Sequence, residues 1–102
     1  MSNTTLFTLS KSWHESTWLY EQLAFASEGD AILLIQDGVL ALQSPISLAS
    51  FIAKCESLGI GVIALQDDCQ IRGIDNQYAN VRVVDYQGFV ELVIDHPKQV
   101  SW

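Results

Sequence analysis

Two thiols, two imidazoles and three aspartates in repeated positions have the clearest claim to chemistry in this 102-residue chain. Cys55 and Cys69 lie fourteen positions apart, with no C-x-x-C and no zinc-ligand spacing. As nucleophiles they would have to ionise. Cys55 falls on the stripe Leu48, Phe51, Ile52, Cys55, spaced i, i+3, i+4, i+7, and is expected in the core, where a thiol is inert. Cys69 follows an apolar run and could be exposed, but Asp67 and Asp68 beside it oppose a thiolate. A small thiol enzyme using Cys69 is thus an alternative reading. His14 and His96 have no sequence-near Ser or Cys in a triad-like arrangement, so cap or surface histidines are expected. Asp37, Asp67 and Asp85 each stand past an apolar run. They could converge on a metal or a phosphoryl group, and a stand-alone ligand-binding domain is a further alternative. The commoner use of such an Asp is to cap a helix or close a turn, and that is the expectation. No metal site and no cofactor are expected. The first candidate loop, Ser10-Lys11-Ser12, has no glycine to cradle a phosphate, and no G-x-G-x-x-G occurs.

The elements that must position these groups are organised around Glu28–Gly38. Ala31 to Ile35 is apolar without alternation, as in a strand covered on both faces. Gly29 can end a helix before it, and Asp37-Gly38 signals a turn after it. A near copy follows: Ile60 to Leu65 runs into Gln66-Asp67 as Ile35 runs into Gln36-Asp37. Two buried strands with a helical pattern between them indicate a parallel sheet with crossover helices. Thr4 to Leu9 reads as the first strand. Ser12-Trp13-His14-Glu15 has capping-box spacing for a helix from about Trp13 to Ser27, with Leu19, Leu23 and Ala26 on one face. Val39 to Leu42 fits either an edge strand or a packed loop. Ser44-Pro45 starts a second helix that Gly59 stops. Asp67 to Arg72 fits a short helical turn ending at Gly73, and Val81 to Val84 a strand. Asp85 reads as the N-cap of a last helix carrying Tyr86, Phe89, Val90, Val93 and Ile94, which His96-Pro97 ends. The expected fold is three-layer α/β/α with a small, mainly parallel sheet of four or five strands, as a single domain over 1–102. A last strand near Val100 is left open.

Charge narrows the partners. Five basic against twelve acidic side chains give a net charge of −7. A surface of that sign repels nucleic-acid backbones and anionic membranes, so direct binding to either is not expected. It can instead match a basic protein partner. No apolar run approaches the ~18 residues of a membrane span, no leader pattern opens the chain, and no cysteine framework calls for oxidation, so the cytoplasm is expected. Trp13, Trp18 and Tyr20 crowd a helix whose inward face is already supplied by Leu19, Leu23 and Ala26. Such rings serve either as interface anchors or as local packing.

The chain resembles the TusB/DsrH family within the DsrE/DsrF/DsrH superfamily. The resemblance is carried by Thr8-Leu9-Ser10-Lys11-Ser12, Glu28-Gly29-Asp30, Gln36-Asp37-Gly38-Val39, Arg72-Gly73, Val84-Asp85-Tyr86 with Phe89-Val90, His96-Pro97 and Trp102. It implies a non-catalytic subunit that assembles with TusC-like and TusD-like subunits in a heterohexamer. It further implies a relay of persulfide sulfur from a TusA-like donor to a TusE-like acceptor, ending in 2-thiolation of the tRNA wobble uridine. DsrH proteins of sulfur oxidisers carry a cysteine in the first helix; here Gln22 stands at that place, which favours the TusB-like role. Many relatives also have Ser-Pro where this chain has Ser12-Trp13. No catalytic residue is assigned. Trp13, Trp18, Tyr20, Asp37, Phe89 and Trp102 are the candidate interface residues.

Overall fold

A computed structural model describes residues 4–11, 21, 23–43, 45–74 and 81–102. Among them five strands form one parallel sheet: β1 (Thr5–Leu9), β2 (Ala31–Leu34), β3 (Gly61–Leu65), β4 (Arg82–Val84) and β5 (Lys98–Ser101), in the order β4-β3-β2-β1-β5. Three α-helices are described: α1 (Pro45–Ser57), α2 (Gln66–Ile71) and α3 (Tyr86–Asp95). Two 3-10 segments, Leu23–Phe25 and Gln36–Gln43, complete the elements.

The order follows from handedness. Right-handed connections that step from β2 to β3 and β4 put α1 and α2 on one face; the return from β4 to β5 puts α3 on the other. Side chains alternate accordingly. Phe7, Leu9, Ile32, Leu34, Val62 and Ala64 join the larger cluster with Leu23, Phe51 and Cys55. Leu6, Ala31, Leu33, Ile63 and Val84 join a smaller one with Leu92 of α3. The architecture is thus the expected three-layer α/β/α.

The fifth strand is present. Lys98 to Ser101 pairs with Thr5 to Thr8, and the Trp102 N–H continues the ladder to the Thr8 carbonyl (2.8 Å). Its polar sequence hid it, because all four residues are exposed on an edge strand and show no apolar pattern. The strand-or-loop choice at Val39 to Leu42 resolves as neither: these residues lie in the 3-10 segment, with Val39, Ala41 and Leu42 buried. The first helix is expected to run to Ser27; within that span Leu23–Phe25 is a 3-10 turn. Its capping box, with His14, lies outside the described residues, as do Ser44 and Gln22.

The amino ends of the strands are clamped by buried Asp30. Its carboxylate accepts from the Thr5 N–H (2.9 Å) and the Ser27 N–H (2.8 Å), tying β1 to the segment that enters β2. Gly29 before it has φ +93°, and its N–H donates to the Gly59 carbonyl (2.9 Å). A side chain there would be strained and would meet Thr4.

Candidate functional site

Open α/β sheets place ligands outside the carboxyl ends of their strands, and the segments that leave β2 and β3 at that end carry the polar residues singled out above. The two copies of the Gln-Asp pattern diverge here. After β3 the chain turns directly into α2, with Leu65 extended as its N-cap. After β2, Gln36 takes φ +50°, a left-handed backbone that a residue with a side chain adopts at a cost of about 1 kcal/mol. The sequence marks Asp37-Gly38 as a turn signal. Gly38 is needed for another reason: it packs on β1, where a Cβ would collide with the Leu9 carbonyl oxygen.

Four polar groups meet at this end. The Gln36 N–H donates to Asp68 Oδ2 (2.7 Å). Arg72 donates through Nε (3.1 Å) and Nη2 (3.0 Å) to Asp37 Oδ1, and Arg72 Nη1 lies 3.8 Å from Asp68 Oδ1. Arg72 thereby ties α2 to the 3-10 segment, and its charge is already matched by two carboxylates. That arrangement offers no open cation for a phosphate. Sequence reading singled out Asp67; the carboxylate that does the work is its neighbour Asp68, while Asp67 is exposed in the first turn of α2. The helical phase of α2, which separates them, was not visible in six residues.

The three aspartates do not converge. Asp37 pairs with Arg72, and Asp85 caps α3 by accepting the Gly88 N–H (2.8 Å). Among the described residues no group of three His, Cys, Asp or Glu side chains could hold a metal ion.

Cys69 corrects an expectation. The short helix expected after β3 is present, but it points Cys69, which the sequence allowed to be exposed, into the larger cluster, 3% exposed. Burial raises its pKa above the ordinary thiol value; Asp68 raises it further and Arg72 only partly offsets this. Cys55 is fully buried as the stripe implied, and desolvation, with Glu56 adding, pushes its thiol up to about 12. Both sulfurs are therefore held as protonated thiols. His96 is buried at the end of α3 with Nδ1 2.9 Å from the Leu92 carbonyl oxygen, a cap position.

Of the candidate interface residues, Trp13, Trp18 and Tyr20 lie outside the described residues. Trp102 is buried and stacked on Phe7 (centroids 4.5 Å apart), so its ring is used within the chain. Asp37 is exposed but engaged with Arg72. Phe89 is half-buried beside the smaller cluster, with Tyr86 packed edge-on at 6.1 Å.

Comparison with known proteins agrees with this picture. A family profile described as DsrH like protein matches residues 11–99. Protein TusB of Enterobacter sp. (strain 638) is 44% identical over 99 residues, covering 95% of this chain and 99% of that protein. Protein TusB of Escherichia coli (strain K12) is 37% identical over 93 residues, covering 87% and 95%. Protein TusB of Pectobacterium parmentieri is 35% identical over 98 residues, covering 95% and 99%.

Proposed function

This chain belongs to the DsrH family, and on that premise we propose that it is a non-catalytic subunit of a cytoplasmic sulfur-relay complex. In this reading it assembles with TusC-like and TusD-like subunits into a heterohexamer. The complex stands between a TusA-like donor and a TusE-like acceptor and supports 2-thiolation of the tRNA wobble uridine. The chain acts as one domain and contributes structure rather than a reacting atom.

The observation that carries this reading is the burial of both thiols. Persulfide transfer needs a thiolate that can attack, and be attacked at, an accessible sulfur. Cys55 and Cys69 are the chain's two cysteines, both face the core, and burial favours the protonated form of each. A net charge of −7 supports leaving RNA contact to other members of the relay. Among the described residues no helix is long and apolar enough to cross a membrane.

Co-expression with the TusC-like and TusD-like chains of the same genome tests the reading. Co-elution as one complex is expected, with loss of 2-thiouridine from tRNA when this chain's gene is deleted. Elution of this chain as a lone monomer, with tRNA thiolation intact in the deletion strain, would overturn it.

A further inference from the structure

Helix α3 carries more apolar surface than the sheet beneath it covers. At ~100° per residue, Leu92, Phe89, Val93, Tyr86, Val90 and Ile94 occupy one unbroken arc of roughly 200°. An amphipathic helix on a core needs an apolar stripe only somewhat wider than ~100°. The inner half of the arc, Leu92 with Phe89 and Val93, packs against the smaller cluster. The outer half is open: Tyr86 is 67%, Val90 38% and Ile94 73% exposed. These three fall at i, i+4 and i+8 and form one continuous flank, and the Phe89 ring supports Tyr86 from below.

The edge of this flank is acidic. Glu91 and Asp95 are exposed on the polar side of α3, and Asp85 stands at its start. Tyr86–Asp95 contains no Lys or Arg, and the nearest cations in sequence, Arg82 and Lys98, belong to strands β4 and β5. A second copy of the chain would meet the flank with the same patch and the same acidic edge. Like charges brought together in that way oppose association.

We propose that the outer flank of α3, Tyr86, Val90 and Ile94, is the docking surface for a different polypeptide whose contact face has an apolar centre edged with Lys or Arg. The proposal rests on the reading of this chain as a subunit and adds where it is held and by what chemistry. An apolar centre with aromatic anchors and a charged rim is the usual anatomy of such contacts. Phe25 and Ile71, also exposed, stand on other elements and serve as control positions.

The test uses the co-expressed TusC-like and TusD-like chains as the probe. Val90→Glu/Ile94→Glu is expected to weaken co-elution by roughly tenfold or more, while Ile71→Glu leaves it unchanged. Glu91→Lys/Asp95→Lys is expected to weaken it too, and added salt to weaken the wild-type contact. Should the double-Glu variant fold poorly by circular dichroism, Ile94→Cys replaces it: the native thiols are buried, so maleimide labels the new one in the free chain. Protection of that thiol in the complex supports the proposal. Wild-type assembly that survives Val90→Glu/Ile94→Glu, or labelling of Ile94→Cys at the free rate within the complex, overturns the proposal and leaves the subunit reading standing. A wild-type homodimer broken by the same variant overturns the choice of occupant. Failure of the wild type to assemble with either chain overturns the subunit reading itself.

Discussion

On one face of the sheet Phe51 of α1, Leu42 of the 3-10 segment, Cys69 of α2 and Trp102 all reach the same buried cluster. On the other, α3 is the one helix among the described residues whose side chains, chiefly Leu92, cover the strands. The first face is closed from several directions, and both of the chain's thiols are sealed there. The second is closed along a single helix whose own apolar arc continues past the covered strip. Sealed thiols on one side and the continuous open flank of α3 on the other fit the proposed role of a chain that holds neighbours.

Truncation should separate the two faces most sharply. Phe51→Ala removes a ring enclosed by several segments that cannot all relax, and a loss of about 3–5 kcal/mol is expected in urea unfolding. Leu92→Ala on the other face should cost less, about 2–3 kcal/mol, because a helix packed from one side can settle into the gap. Equal losses would remove the contrast.

The sealed thiol has a pH signature. In the folded chain Cys55 keeps its proton up to about 12, against an ordinary 9.0, so the unfolded chain loses it first. Its contribution to stability is fully present below pH 9 and falls as pH rises from 9 to 12, by about 1 kcal/mol per pH unit. Cys55→Ala should lack that part of the slope, and parallel curves for the two proteins would show the thiol to be more open than the fold implies. The smallest effect should come from the carboxyl ends of the strands. Arg72→Ala breaks a half-exposed tie to Asp37 and Asp68, and a change of at most about 1 kcal/mol is expected, reduced further by salt.

Much of this arrangement was legible in the residues. Unbroken apolar runs at Ala31 and Ile60 gave the central parallel strands, and Asp85 and His96-Pro97 marked both ends of α3. Cys55 was placed by helical spacing alone. What escaped depended on contacts made at a distance. β5 is a polar edge strand that exists because β1 offers it a ladder. Gly38 is fixed by the approach of Leu9, 29 positions earlier in the chain. Asp68 rather than Asp67 meets Gln36 because a short helix turns it inward. Trp102, named among the candidate interface residues, stacks on Phe7 from 95 positions away, a contact that sequence neighbours do not announce.

In the proposed role, sulfur passes through the complex without visiting this chain. The direct measurement is sulfur transfer to the TusE-like acceptor by the reconstituted complex carrying Cys55→Ala/Cys69→Ala in this subunit, with assembly checked by gel filtration. An unchanged transfer rate is predicted. A fall to background in a complex that remains assembled, with a persulfide trapped on this subunit in the wild type, would contradict the account.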